Sequence, residues 1–292
     1  MIRPWLAVAL VAGVCLALAP TSLPPSPQPK APLRPEPPAE AGGDLAALAR
    51  TDPVALLDAA RRKFRATVRT YRGRLHKQER IGGTLHPPEV VRVVFREEPY
   101  AVLMRWESGA RAVLGTPVEG TLFATGVNGG KMTVWRPAAR VAFLQTIDVG
   151  PTDSSARSAA RYAVSEGGLR HAAERTYAAW SEAKRAGTLH AEFLGTKPIP
   201  ELGGVVCHVV QRTCPQPQLD PFVAGEPPAD PSRHPADAFT SVTIMIDVDS
   251  AAQVGSVQRR ADGELVGAYY FRDLELNPPL PPDQFTVAAL KR

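Results

Sequence analysis

Gly263-Glu-Leu-Val-Gly-Ala-Tyr-Tyr-Phe-Arg-Asp-Leu-Glu-Leu-Asn277, continued by Pro278-Pro-Leu-Pro-Pro-Asp-Gln-Phe285, sets the reading of the whole chain. The stretch leaves a glycine turn, runs through Tyr269, Tyr270 and Phe271, and stops at an asparagine and two prolines. Proline donates no ladder hydrogen bond, so the pattern predicts a strand over 265–274. Phe285 is then expected to return to the core. Just upstream, 241–247 and 253–260 have the same character, and Val242, Ile244 and Ile246 share one face of theirs. Strands in succession with short turns between them predict an antiparallel meander.

The signature recurs towards the N-terminus. Tyr71–Ile81 is a polar, basic strand carrying Arg72, Arg74, Lys77, Glu79 and Arg80, closed by Gly82-Gly83. Val90–Arg96 alternates Val91, Val93 and Phe95 with Arg92 and Arg96, and Glu97-Glu98-Pro99 breaks it. Tyr100–Trp106 sets Val102, Met104 and Trp106 against Ala101, Leu103 and Arg105. Leu122–Val127 and Lys131–Trp135 flank Asn128-Gly129-Gly130, a strong hairpin signal. Val141–Ile147, Leu189–Leu194 and Val205–Thr213 complete the set.

Two helices interrupt the strands. Asp52-Pro53 starts one: the carboxylate can cap free N–H groups, and proline is tolerated at the first helical position. Val54, Leu57, Phe64 and Val68 follow at helical spacing to about residue 70. Gly167–Arg185 is the second, with Leu169, Ala172, Ala173, Thr176 and Trp180 on one side and Gly187 ending it. Residues 150–166 read as irregular. A meander this long must curl. The chain is therefore predicted to be α+β: a curled antiparallel sheet, a half-barrel, with the N-terminal and mid-chain helices covering its concave face.

Composition bounds the function. Hydrophobic content is 44% and charged content 22%, normal for a globular protein. A formal net charge of +5 is too small to argue for nucleic acid, and none is expected as a partner. Residues 1–19 carry one positive charge and then an apolar run of signal-peptide length. Ala17-Leu-Ala19 is a cleavage pattern spoiled by Pro20, so the segment is read as a signal peptide or an uncleaved membrane anchor. Val14 before Cys15 argues against lipidation. Residues 20–43 form a proline-rich linker, residues 44–292 a single domain, and 215–238 a proline-rich surface insertion. The expected location is the periplasm or cell envelope, with anchoring to the inner membrane if the leader stays. Cys207 and Cys214, seven apart, would lie roughly 23 Å apart on extended chain, so a bridge would need a reversal between them. The plainer reading is one buried thiol and one loop thiol.

Catalytic patterns are absent. Gly126-Val-Asn-Gly-Gly-Lys131 has the wrong spacing for a phosphate loop, and Asp247-Val-Asp249 lacks a ligand loop. The six histidines show no metal spacing, and no nucleophile elbow exists. No catalytic residue, cofactor or metal is expected. Arg61, Arg62, Lys63, Arg65 and Arg69 crowd one face of helix 53–70, which is read as a solvated face or as contact with a membrane surface. On a strand, Lys77 and Glu79 share a face and Arg80 takes the other. The plain reading is an exposed ion pair; the functional one is a polar site for an anionic ligand.

Lys77-Gln-Glu-Arg-Ile-Gly-Gly83, Pro99-Tyr-Ala-Val-Leu-Met-Arg-Trp106, Asn128-Gly-Gly-Lys-Met132 and Ser165-Glu-Gly-Gly-Leu169, in that order, resemble DUF1571, a family of uncharacterised bacterial and planctomycete proteins. The C-terminal tract is similar to LolA/LolB-like lipoprotein carriers. The resemblance spans about residues 50–287, on the scale of one domain. One departure is Arg111-Ala-Val-Leu-Gly-Thr-Pro-Val118, where Pro117 disturbs strand pairing. The resemblance implies a half-barrel in the envelope that binds apolar ligands and performs no chemistry. Met104, Trp106, Trp135, Phe143, Ile244, Tyr269 and Phe271 are then expected to line its concave face, around a lipid, an acylated ligand or a lipoprotein. A filled-core protein-interaction module is the first alternative, and an enzyme acting on envelope material the second.

Overall fold

The computed structural model of the chain describes residues 45–113, 115–219 and 234–292. The leader, Cys15, the linker and most of the 215–238 segment lie outside the described residues. Helix α1 (Leu45–Thr51) was not expected. It leads into α2 (Pro53–Thr67), whose cap is Asp52: one carboxylate oxygen accepts the Val54 and Ala55 N–H groups at 3.1 Å each. Val54, Leu57, Phe64 and Val68 are all buried. The helix stops before residue 70 because Val68 turns extended.

The first meander is β1 (Thr70–Ile81), with β2 (Thr84–Leu85) folded on its end, then β3 (Glu89–Arg96) and β4 (Ala101–Ser108). The hairpin β5 (Ala112–Val113) and β6 (Thr116–Pro117) stands apart as its own small sheet, which is where Pro117 removes a ladder donor. Then come β7 (Gly120–Ala124), β8 (Met132–Trp135), β9 (Thr146–Val149), α3 (Ser154–Arg157) and α4 (Gly168–Arg185). The second meander is β10 (His190–Ile199), β11 (Val205–Gln218), β12 (Phe239–Asp247), β13 (Gln253–Arg259) and β14 (Leu265–Leu276), followed by α5 (Val287–Lys291).

Among the described residues these strands form one open antiparallel sheet in the order β10-β11-β12-β13-β14-β1-β3-β4-β7-β8-β9. The aromatic stretch Gly263–Asn277 is the seam: β14 pairs with β1 and joins the two meanders. Asn277 locks that seam. Its Oδ1 accepts the Arg69 N–H at 2.8 Å, its Nδ2 donates to the Thr67 carbonyl at 2.8 Å, and its own N–H donates to the Thr70 carbonyl at 2.7 Å.

Two expectations fail. Val141–Ile147 is not one strand: Ala142–Leu144 is a 3-10 turn and β9 starts at Thr146. The reason is Arg136, whose buried guanidinium takes the Leu144 and Val113 carbonyls at 2.6 Å each, in place of a ladder. Cys214 is not a loop thiol. β11 runs on to Gln218, and both Cys207 and Cys214 are buried on it without a disulfide.

Candidate functional site

Opposed residues of an antiparallel pair share a face, so the register lays out the inner surface of the sheet in a row. Arg212 faces Val242, which faces Gln258, then Gly267, then Glu79. One step along, Ile244, Ser256, Tyr269, Lys77 and Glu89 form a parallel row. Beyond them Trp106 and Met104 on β4, Thr121 on β7 and Val134 on β8 continue the face. The 151–164 segment and Gly167, Ala172, Arg175, Thr176 and Ala179 lie across from this surface, and the space between is a cavity of about 240 Å³. Packing voids in protein interiors seldom exceed one water.

Helix α4 is pinned over the sheet at its start. The Tyr71 hydroxyl accepts the Leu169 N–H at 2.8 Å, and the Tyr100 hydroxyl donates to the Val164 carbonyl at 2.7 Å. Tyr71 is fully buried, stacks on Phe95 at 4.8 Å and meets Phe64 and Phe271 edge-on. Further along, Trp180 packs with Leu56, Leu57, Val210 and Ile244 in a second apolar cluster.

In the floor of the cavity sits a charged cluster. Lys77 Nζ lies 2.8 Å from Glu79 Oε2 and 3.3 Å from Glu89 Oε1. Arg111 Nε donates to Glu89 Oε1 at 3.1 Å, and its Nη2 lies 3.7 Å from Glu79 Oε2. Trp106 Nε1 donates to Glu89 Oε2 at 2.6 Å, and the Tyr269 hydroxyl donates to Glu79 Oε1 at 2.9 Å. The Lys77 and Glu79 side chains are only 7% and 2% exposed, which overturns the exposed-pair reading. They share a face as expected, but that face is the inner one. Burial pushes the Glu79 carboxyl up, yet Lys77, Tyr269 and Arg111 outweigh it and hold it below the usual carboxylate range. Burial likewise disfavours charged Lys77, and Glu79 and Glu89 reverse that, so its pKa is raised. Both remain ionised, and Glu79 holds no proton to give near neutrality.

Arg80, on the other face, takes the Leu265 and Gly83 carbonyls and pairs with Glu264. Of the seven apolar candidates, Met104, Trp106, Tyr269 and Phe271 line the cavity. Trp135 does not. It points outwards, beside Leu103, Leu122 and Leu290, where α5 covers the sheet. Phe143 is 79% exposed on the 3-10 turn. Ile244 is on the inner face but is core, sealed under α2 and Trp180. The basic face of α2 is partly engaged: Arg61 pairs with Asp58 and Glu174 and stacks over Tyr177 at 4.1 Å, and Lys63 donates to the Asp249 carbonyl.

Sequence reading missed Glu89, Arg111, Arg175 and Arg212. For Glu89 a signal existed: it falls in phase with Val91, Val93 and Phe95, an acid on an otherwise apolar face. Arg111 comes from the irregular segment after β4, and no periodicity marks it.

No curated protein matches the chain. Solved structures do. The MucA/MucB complex of Pseudomonas aeruginosa is 11% identical, with a TM-score of 0.44, over 81% of this chain and 61% of that one. The lipoprotein LppX of Mycobacterium tuberculosis is 14% identical, with a TM-score of 0.41, over 79% of this chain and 99% of that one. A LolA superfamily protein from Nitrosomonas europaea is 10% identical, with a TM-score of 0.28, over 80% of this chain and 98% of that one. Such identities carry no residue roles across. The family model for proteins of unknown function, DUF1571, matches residues 68–226, which include β1, the charged residues Lys77, Glu79, Glu89 and Arg111, and all of β11, and this chain belongs to that family.

Proposed function

We propose that the protein is a non-catalytic envelope protein that binds lipid or an acylated ligand between the inner face of its sheet and helix α4. The observation that carries this reading is the cavity of about 240 Å³, bordered chiefly by apolar side chains. That volume lies just below the roughly 300 Å³ at which small-ligand sites begin, room for part of an acyl chain unless α4 lifts. Burial of an acyl chain would supply about 0.8 kcal/mol per CH₂. The helices act as the roof of a half-barrel, and release follows from movement of α4. The saturated carboxylates of the floor support a binding role over acid–base catalysis. The leader would export the chain and, uncleaved, tether it to the inner membrane through the proline-rich linker. Helix α2, with Arg62 and Arg65 outward, would face that bilayer, and a lipoprotein is a partner of the same chemistry.

A second reading, a protein-interaction module, is favoured by the two open edges of the sheet, β9 and β10. Native mass spectrometry with lipid extraction on the full chain, purified from a bacterial envelope, separates the two. Co-purifying lipid that disappears in Ala172→Trp, which fills the cavity, supports the carrier. A clean apo mass with no uptake of added phospholipid removes it and leaves the interaction module.

A further inference from the structure

Resting on that reading, we propose that the cavity selects amphiphiles with an anionic headgroup, and that Arg212 is the residue that receives it. The inner face is graded. From β11 to β3 it carries Arg212, Gln258, Tyr269 and the Lys77 cluster; from β4 to β9 it carries Met104, Met132, Val134 and Val149. Among the described residues, the charged side chains that strands bring to the cavity stand on β11, β1 and β3, interspersed with apolar Leu75, Val242, Val254 and Phe271, and the strands from β4 to β9 bring none, which suits a head on the first side and a tail on the second.

The charges do not balance. Among the described residues six charged side chains line the cavity: Lys77, Arg111, Arg175 and Arg212 against Glu79 and Glu89, a surplus of two positive charges. Lys77 and Arg111 are matched by the two carboxylates. Arg175 donates to the Glu166 carbonyl at 2.5 Å and stacks over Tyr162 at 4.3 Å, and among the described residues no carboxylate pairs with it. Arg212 is the outlier. It is 5% exposed, its Nε is buried with no acceptor, and among the described residues it has no carboxylate partner. A buried cation without a counter-charge is costly, and proteins seldom leave one so. A carboxylate or phosphate carried on a hydrocarbon chain would give Arg212 the bidentate partner it lacks.

The test uses the full chain with Nile red, a neutral fluorescent probe, bound in the cavity. Oleate and oleyl alcohol share a hydrocarbon chain and differ in the head, and both are titrated as displacers below self-association. Oleate is expected to displace the probe at about tenfold lower concentration than the alcohol. Arg212→Gln should raise the oleate requirement to that of the alcohol and leave the alcohol unchanged. Acetate, a head without a chain, should displace nothing. Equal displacement by oleate and alcohol in the unaltered protein overturns the headgroup assignment while the carrier stands, and it needs no variant to fold. An oleate preference that survives Arg212→Gln also overturns the assignment. Absence of saturable Nile red binding overturns the carrier reading itself.

Discussion

Asn277 shows how much one side chain can hold. It has a positive φ of 52°, a conformation that asparagine tolerates better than other residues with a side chain. From there it bonds three successive elements of backbone: the end of α2, the start of β1 and the residue between them. Asn277→Ala loses three side-chain bonds, one of them long, and forces alanine into the left-handed region, for an expected loss of about 2–3 kcal/mol in urea unfolding. Asn277→Gly loses the same bonds without the strain and should lie measurably closer to the unaltered protein. Equal losses would mean that the backbone conformation contributes nothing. Gly168 makes a complementary case. Its φ is +86°, and an added Cβ would stand 2.3 Å from the Tyr71 hydroxyl and 2.8 Å from a Phe95 ring carbon. Gly126 has a similar φ of +79° but nothing within 4 Å. Gly126→Ala should therefore cost only the strain, about 1 kcal/mol, and Gly168→Ala about 3 kcal/mol or more. A Gly168→Ala loss no larger than that at Gly126 would show that α4 can lift away from the sheet at little cost.

At the scale of the element, β1 is the strand that ties fold to site. It pairs with β14 on one side and β3 on the other, and its inner face carries Leu75, Lys77 and Glu79 into the cavity. Removing one ion of a buried cluster strands its partner, whereas removing both need not. Lys77→Met is thus expected to cost about 3–5 kcal/mol. Lys77→Met with Glu79→Leu should be less destabilised than the single change, since the Arg111–Glu89 pair at 3.1 Å survives both. Greater destabilisation of the double variant in the same urea titration would show that the four charges act as one unit. Sequence revealed β1 as a strand and set Lys77 and Glu79 on one face, because alternation is a property of the chain itself. It did not reveal that this face is the buried one. Five charged residues in a twelve-residue strand look solvated until Glu89 and Arg111 arrive from other elements to face Lys77 and Glu79. Strand 141–147 failed for a related reason: the buried Arg136, just after β8, claims the Leu144 carbonyl that local pattern assigns to a ladder. Trp135 was misplaced because α5, which covers it, is a five-residue helix with no periodicity to read.

At the scale of the molecule, the described domain is an open sheet closed over on one side by α2 and α4, and the point where those helices meet the sheet is titratable. Glu97 directly follows β3, beside Phe64, Val68 and Arg69 of α2 and the α2–β1 junction, and beside Arg170 of α4. Its residue is only 6% exposed, and one carboxylate oxygen is buried without a donor. Burial is the main cause that pushes its pKa up, to about 7; Arg170 and the Tyr71 hydroxyl pull it down but do not compensate. In the unfolded chain the same carboxyl titrates near the ordinary glutamate value of about 4.3. Between these two values the folded state holds more protons than the unfolded one, so stability falls as pH rises. The contribution is whole below the unfolded pKa, is lost through the folded one, and amounts to up to about 3 kcal/mol. Many carboxylates titrate over this range, so the informative quantity is the difference from Glu97→Gln, which keeps the shape and cannot ionise. The variant should gain on the unaltered protein between about pH 5 and 8 and hold a constant advantage of about 2–3 kcal/mol above that. Its own curve should lose the corresponding slope. Parallel unfolding free energies from pH 4 to 9 would mean that Glu97 titrates in the fold as it does in the unfolded chain, with Arg170 offsetting its burial, and that the junction of α2, α4 and the sheet does not answer to pH.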